Sequence, residues 1–177
     1  MEQIPQSLPV LPIRNSVLFP AVSMPLVVGR GKSIQAVEYA HGKDDFILVV
    51  AQKVTDSEDP GAEDLHEMAT LCKIEGVHRT EEDSRQVVVT GIARYRLHHV
   101  QIGDQGFLTA QGELMPDLHS EDAIRNEALF YQLKEMAREV IQLLPGTTEA
   151  LVKFIDRVED SSYLANVCAA YLNLSLT

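Results

Sequence analysis

Lys32 and Ser33 are the residues whose types and spacing come nearest to a chemical site in this sequence. They lie in the segment PLVVGRGKSIQAVEYA, residues 25–40, between a short apolar run and a stretch with helical periodicity. In a phosphate-binding loop, a Gly-Lys-Ser sequence at such a turn holds phosphates and magnesium through backbone N–H groups, the lysine and the hydroxyl. The segment therefore raises the hypothesis of a nucleotide site.

The glycine spacing argues against that site. The phosphate-binding motif needs a glycine five positions before Gly31, and that position holds Leu26. The dinucleotide pattern G-x-G-x-x-G also fails, since its third glycine would fall on Ile34. We interpret the segment as a tight strand-to-helix turn, in which glycine supplies backbone freedom and Ser33 is available to cap the helix.

The other reactive residue types form no chemical constellation. Cys72 and Cys168 lie in apolar sequence without C-x-x-C spacing, which favours buried free thiols over zinc ligands or a disulfide. The six histidines show no H-x-x-x-H or H-E-x-x-H spacing, and we find no grouping of nucleophile, base and oxyanion donors. We predict that this chain has no catalytic residue, no metal and no bound cofactor.

The charge balance restricts the partners. The 177 residues include 26 acidic and 15 basic side chains, and the net charge of −11 repels phosphate backbones. The densest basic stretch, RYRLHH at residues 94–99, would divide its side chains between the two faces of a strand. The longest apolar run, Phe46 to Ala51, is far shorter than the ~20 residues of a membrane-spanning helix. We therefore predict a cytoplasmic protein that binds neither nucleic acid nor a membrane through this region.

The first two thirds of the chain have the sequence pattern of β-strands. Short β-branched segments are separated by glycine, proline or charged turns, as in a small barrel or a twisted sheet. One helix is predicted at about residues 33–41, and the acidic segment at residues 55–67 is predicted to be a solvated loop. The predicted strands are LPVLPI, MPLVVG, FILVVAQK, ATLCKIEGV, RQVVVTGIARYRLHHV and GFLTAQGELM.

The pattern changes to helices after Pro116. Ser120, Glu121 and Asp122 are suited to a helix N-terminus, and apolar residues then recur at helical spacing at Leu129, Leu133, Met136, Val140 and Leu144. This helix is predicted to end at Pro145-Gly146, and two more are predicted at about Thr148 to Val158 and Ser162 to Leu172. We predict an α+β fold with a β-rich domain at residues 1–117 and a helical subdomain at residues 118–177.

The segment FPAVSMPLVV, residues 19–28, contains the candidate binding residues. A proline-bounded loop that presents Val22, Met24 and Pro25 would make an adaptable apolar surface for protein contacts. The alternative, that these side chains point into the core, remains equally open. Arg14, Gly29 and Arg30 are interpreted as turn residues, because an arginine at a strand end usually ties a turn to a carboxylate or carbonyl group.

Six separated motifs together resemble the N-terminal region of bacterial Lon proteases. The resemblance extends from Leu8 to the end of the chain, and its specificity rests on the agreement of all six in one order. The motifs are LPVLPIRNSVLFP, MPLVVGRGKSIQAVEYA, ILVVAQK, DLHEMATLCKIE, VVVTGIARYRL and VEDSSYLANVCAAYLNL.

The resemblance implies both a fold and a function. The fold would be a PUA-like β-barrel with one helix, followed by a helical bundle that leads to ATPase and Ser-Lys protease modules absent from this chain. ATP and magnesium would bind only in the absent ATPase module. The function would be non-catalytic substrate recognition and assembly in an ATP-dependent serine protease for misfolded and degron-bearing proteins. Its partners would be unfolded or damaged proteins and the other subunits of a homohexamer.

Two alternatives to that function remain open. The chain could be a stand-alone protein similar to the Lon substrate-binding domain. It could also be a PUA-type nucleic-acid-binding module, although fold analogy is a weak argument for function and the net charge opposes it. In the Lon family the Gly-Arg-x-Lys-Ser turn is a structural corner that binds no nucleotide, so the resemblance also implies a structural role for Lys32 and Ser33.

Overall fold

The computed structural model describes residues 4–54, 56–80, 82–118, 121–143 and 149–171. In the described residues, one α-helix lies among the six strands and three more α-helices follow the last strand. This arrangement confirms the predicted α+β class. The strands are β1 (Leu8–Ile13), β2 (Ser23–Val28), β3 (Phe46–Ala51), β4 (Met68–Arg79), β5 (Arg85–Ile102) and β6 (Leu108–Met115). The helices are α1 (Gly31–His41), α2 (Ala123–Leu143), α3 (Glu149–Arg157) and α4 (Ser161–Tyr171), and a short 3-10 helix spans Ala62–Asp64.

The strands form one mixed sheet that closes on itself. The strand order is β2-β5-β4-β3-β1-β6, and β6 also pairs with β5, so five strands complete a ring. β1 and β3 pair in parallel, and the other pairings are antiparallel. Because β5 is 18 residues long, its first half pairs with β2 and its second half with β6. β2 is thus added outside the ring.

The interior of the ring is an apolar core. β1 and β3 are buried along their whole length, which explains their continuous apolar sequences. α1 packs through Ala36, Val37 and Ala40, each no more than 1% exposed. Cys72 is also fully buried, and burial raises the pKa of its thiol, as expected for a structural cysteine. The core cluster contains Leu8, Val10, Phe46, Leu48, Val50, Leu65, Ala69, Leu71, Tyr95, Leu97, Leu108 and Ala110.

The helical unit has its own small core. Asp122 accepts a hydrogen bond from Arg125 N at 2.9 Å and so caps α2, while the predicted cap Ser120 lies outside the described residues. The predicted apolar position Leu144 and the predicted helix boundaries at Pro145-Gly146, Thr148 and Leu172 also lie outside them. Ile155, Val158 and Leu164 are the buried apolar residues described in this unit.

The apolar face of α2 differs from the one that its sequence suggested. Phe130, Leu133, Ala137 and Ile141 pack against the buried residues of the helical unit. By contrast, Leu129, Met136 and Val140 are 51–55% exposed. Two apolar stripes share this helix, and only contact with α3 and α4 selects the stripe that is buried.

Limited proteolysis tests the predicted division at residues 117/118. The chain groups into two compact units, one ending at Pro116 and the next beginning at Asp117, and Leu118 is 96% exposed. We expect a protease specific for acidic residues to cut first at Asp117 or Glu121, because exposed chain such as that at Leu118 can enter the active site of the protease without unfolding. Mass spectrometry would identify the fragments. First cleavage within residues 85–100 would contradict the division.

Candidate functional site

Strand β2 contains two of the three predicted binding residues and has an open edge. It pairs antiparallel with β5, from Ser23 opposite Thr90 to Val28 opposite Arg85, and with no other strand in the described part of the chain. Its sequence SMPLVV has no charged side chain, although charges are a common protection of exposed strand edges. β2 is therefore an uncharged edge strand.

Alternation along β2 separates an inner from an outer face. Successive side chains of a strand point to opposite sides. The alternate residues Met24, Leu26 and Val28 are half-buried or buried, and Ser23, Pro25 and Val27 are exposed. Val27, at 78% exposure, is the most exposed large apolar side chain of the described strands.

The neighbouring strand extends the outer face. On β5, Val87 and Val89 are fully buried, so Val88 between them points outward. Val88 lies directly opposite Pro25 in the register of the two strands. We call Pro25, Val27 and Val88 the outer patch, an apolar surface on the open side of the sheet.

The predicted binding residues have three different environments. Val22 is 9% exposed, and Met24 is half-buried with its Sδ atom 3.9 Å from Ser16 Oγ. Pro25 is exposed on the outer patch. The prediction did not include Val27, although two-residue alternation from Pro25 would have pointed to it. The role of these residues in binding stays a prediction.

The loop before β2 is held against β5 by backbone contacts. Ala21 N donates to Gly91 O at 2.9 Å, and Gly91 N donates to Val22 O at 3.0 Å. A Cβ atom on Gly91 would overlap the Phe19 carbonyl oxygen, so only glycine permits this approach. These contacts determine the position at which β2 begins.

Arg30 is a brace at the other end of β2. Its Nη1 donates to Gln52 Oε1 at 2.7 Å, and its Nη2 donates to the Pro12 carbonyl oxygen. Gln52 is 1% exposed. Burial and then the neighbouring Arg14 cation lower the pKa of Arg30. The guanidinium thus links the end of β2 to β1 and to the residue that follows β3.

Arg14 ties the end of β1 to the acidic loop. Its Nη2 donates to Ser57 O at 2.9 Å and lies 3.2 Å from Glu58 Oε1. Its Nε is buried without a hydrogen-bond partner among the described residues. The acidic segment was predicted to be a solvated loop. It also has a structural contact, because Ser57 and Glu58 bind Arg14 at the end of β1.

The Gly-Lys-Ser turn differs from its prediction in two respects. α1 begins at Gly31 with Arg30 at the N-cap position and without a side-chain cap, and Ser33 is buried inside the helix. Ser33 is thus too far along the helix to cap it. Gly29 and Gly31 do not have positive φ angles, so the turn does not require the backbone freedom of glycine. Lys32 Nζ pairs with Asp59 Oδ2 at 2.6 Å, which stabilises a surface corner.

A cavity of about 580 Å³ lies along β2 and β1, two strands that do not pair with each other. Its walls include Leu11 and Ile13 from β1 and Leu26 and Val28 from β2. Arg14, Arg30 and Glu58 also line it. The volume falls in the usual range of ligand sites. The site thus combines an outer patch, an open strand edge and a cavity whose walls are partly apolar and partly charged.

The basic stretch at residues 94–99 lies beside an acidic side chain. Glu113 Oε1 lies 3.3 Å from His98 Nε2 and 4.0 Å from Arg96 Nη1, so a carboxylate offsets the basic stretch. The described residues contain no cluster of three His, Cys, Asp or Glu side chains that could hold a metal. No helix in the described ranges is long and apolar enough to cross a membrane.

Comparison with known proteins identifies related sequences. Residues 7–177 match the family described as the ATP-dependent protease La (LON) substrate-binding domain. Lon protease 2 of Myxococcus xanthus is 38% identical over 99% of this chain, which corresponds to 21% of that protein. Lon protease 1 of Bdellovibrio bacteriovorus is 34% identical over the whole chain and 22% of its own length. The chain spans about a fifth of these curated relatives.

Solved structures show the same fold. The N-terminal domain of the Mycobacterium avium complex Lon protease matches 96% of this chain and 84% of its own with a TM-score of 0.78 and 19% identity. A Lon N-terminal domain protein from Xanthomonas campestris matches 94% of this chain and 98% of its own with a TM-score of 0.56 and 18% identity.

Proposed function

Because this chain belongs to the family of Lon substrate-binding domains, we propose that it binds unfolded segments of protein substrates at β2. One observation carries the proposal: the Val27 side chain, on the uncharged edge strand β2, is 78% exposed. It lies beside Pro25 of the same strand and Val88 of β5. Unfolded proteins expose apolar side chains that a folded protein buries, and an apolar patch removes those side chains from water.

The three predicted residues enter this proposal differently. Pro25 contacts the substrate as part of the outer patch. Val22 and Met24 support β2 from its inner face, because their side chains are buried and half-buried. The outer patch therefore replaces the Val22-Met24 surface as the place of contact.

For the whole protein we propose a homo-oligomeric, ATP-dependent serine protease of the cytoplasm that degrades unfolded or damaged proteins. The relatives named Lon protease, of which this chain corresponds to about a fifth, support that proposal. ATP and magnesium would then be bound outside this chain. One small patch binds weakly, and several copies in an oligomer would raise the effective affinity by about 10²-fold.

Val27→Asp tests the outer patch. We expect the substitution to weaken binding of a reduced, unfolded test protein about fivefold, since a carboxylate must lose water when an apolar segment covers it. Fluorescence anisotropy of the labelled test protein would measure the Kd. At 78% exposure Val27 contributes little to the core, so circular dichroism should show an unchanged fold.

Ile102→Asp is the matched control. Ile102 is an apolar residue of β5 with 62% exposure that does not belong to the outer patch. Its substitution adds the same charge to the same unit, and we expect the Kd to stay within twofold of wild type. Equal losses in both variants would indicate a general charge effect, and no loss in Val27→Asp would remove the outer patch as the binding site.

A further inference from the structure

The hydrogen-bond pattern shows which backbone groups of β2 are free for a partner. In an antiparallel pair, residues alternate between those that bond to the partner strand and those whose N–H and C=O groups point away. Gly91 N donates to Val22 O, so the carbonyl group of Val22 points toward β5. By alternation Met24, Leu26 and Val28 bond toward β5, while Ser23, Pro25 and Val27 direct their backbone groups to the open edge.

Pro25 fits this assignment. Proline has no N–H group and is accommodated in a sheet where its nitrogen faces away from the partner strand. Its place among the outward residues therefore costs the β2–β5 ladder no hydrogen bond. Among the described residues, no backbone hydrogen bond outside the β5 ladder reaches Ser23, Pro25 or Val27. The open edge offers two N–H donors and three C=O acceptors.

We propose that an extended segment of an unfolded polypeptide binds by adding a strand to the open edge of β2. This inference rests on the proposed function and names its binding mode, in which backbone hydrogen bonds hold the segment. Because main-chain hydrogen bonds provide the affinity, this binding mode accepts any sequence that can become extended. It therefore suits a domain that binds many unfolded proteins. Side chains of the added strand would alternate between the outer patch and the cavity beside β2.

Part of the cavity wall is apolar and can receive apolar side chains at the inner positions. Leu11, Ile13 and Val28, which line it, are each at most 8% exposed. An apolar side chain of the added strand gains by leaving water there. Arg30 Nη2 donates to the Pro12 carbonyl of β1, so that acceptor across the cavity is already occupied.

A second copy of this chain fits the edge less well than a peptide. If β2 paired with itself around a two-fold axis at Pro25, two residues without N–H groups would face each other and lose both central hydrogen bonds. A peptide residue at that position donates its N–H to Pro25 O. The net charge of −11 also opposes the approach of two copies.

Val27→Pro tests the backbone contact with little change in side-chain character. The substitution removes the outward N–H of residue 27, and the ladder with β5 is kept because that nitrogen does not bond to β5. We expect the Kd for the reduced, unfolded test protein to rise about fivefold. Val27→Thr is the control, since it keeps the N–H and a β-branched shape, and we expect a change of less than twofold.

Amide hydrogen exchange gives an independent readout. In the free protein we expect the amides of Ser23 and Val27 to exchange quickly and those of Met24 and Leu26 to be protected by β5. Saturation with the test protein should slow exchange at Ser23 and Val27 several-fold. Unchanged exchange at both, or equal affinity of Val27→Pro and wild type, would overturn strand addition.

The results separate this inference from the function on which it rests. If Val27→Asp weakens binding and Val27→Pro does not, the outer patch binds substrate through side chains alone and strand addition is wrong. If the wild-type chain does not bind the test protein, the proposed function fails first. Concentration-dependent dimers in analytical ultracentrifugation that Val27→Pro abolishes would assign the edge to a second copy and would also overturn the inference.

Discussion

Gly112→Ala is expected to lower the free energy of unfolding by about 3 kcal/mol, because the added methyl group has no space in the closed ring. Gly112 lies in β6 opposite Leu97 of β5, in the pairing that completes the ring. A Cβ atom there would overlap the Arg96 carbonyl oxygen and lie 2.7 Å from Tyr95 Cε1. The Arg96 oxygen belongs to the backbone of β5 and cannot move aside as a flexible side chain could.

Urea denaturation followed by circular dichroism measures this loss. Gly29→Ala is the matched control, since a Cβ atom on Gly29 meets no described atom within 4 Å and its φ angle is not positive. We expect that variant to stay within about 0.5 kcal/mol of wild type. Equal stability of Gly112→Ala and Gly29→Ala would show that β5 and β6 lie farther apart at Gly112 than this contact requires.

Arg30→Met is expected to lower the free energy of unfolding by about 2 to 3 kcal/mol. The substitution keeps the apolar stem and leaves the Pro12 carbonyl and the buried Gln52 Oε1 without their donor. A buried acceptor that loses its partner costs about 1 to 3 kcal/mol. We also expect weaker binding of the unfolded test protein, because Arg30 links the end of β2 to β1.

Lys32→Met separates this effect from a simple loss of charge. Lys32 pairs with Asp59, and both side chains are about half exposed or more, so their ion pair contributes at most about 1 kcal/mol. The same denaturation experiment compares the two variants. If Arg30→Met cost no more than Lys32→Met, the Arg30 contacts would not brace β2.

Local sequence determined much of this fold. Short β-branched runs predicted all six strands, and the N-terminal ends of α2 and α4 lie within two residues of their predictions. The order of six motifs also indicated the family that the comparison with known proteins confirms. These features depend on residues close together in the chain, where propensity, periodicity and capping act directly.

The tertiary structure decided the face of β2 that meets the solvent. A strand sequence shows that alternate side chains share a face, but only the pairing with β5 determines which set is outside. The sequence therefore suggested Val22 and Met24 equally with Pro25, whereas the fold exposes Pro25 and Val27. In α2, likewise, contact with α3 and α4 chose between two apolar stripes.

Contacts between distant residues were also decided by the tertiary structure. Arg30 bonds to residues 18 and 22 positions away, and the tight space around Gly112 exists only because β6 pairs with β5. Sequence alone determined the elements, the charge and the family of this protein. The tertiary structure decided the open edge, the outer patch and the brace, because each requires strands from separate parts of the chain to meet in one register.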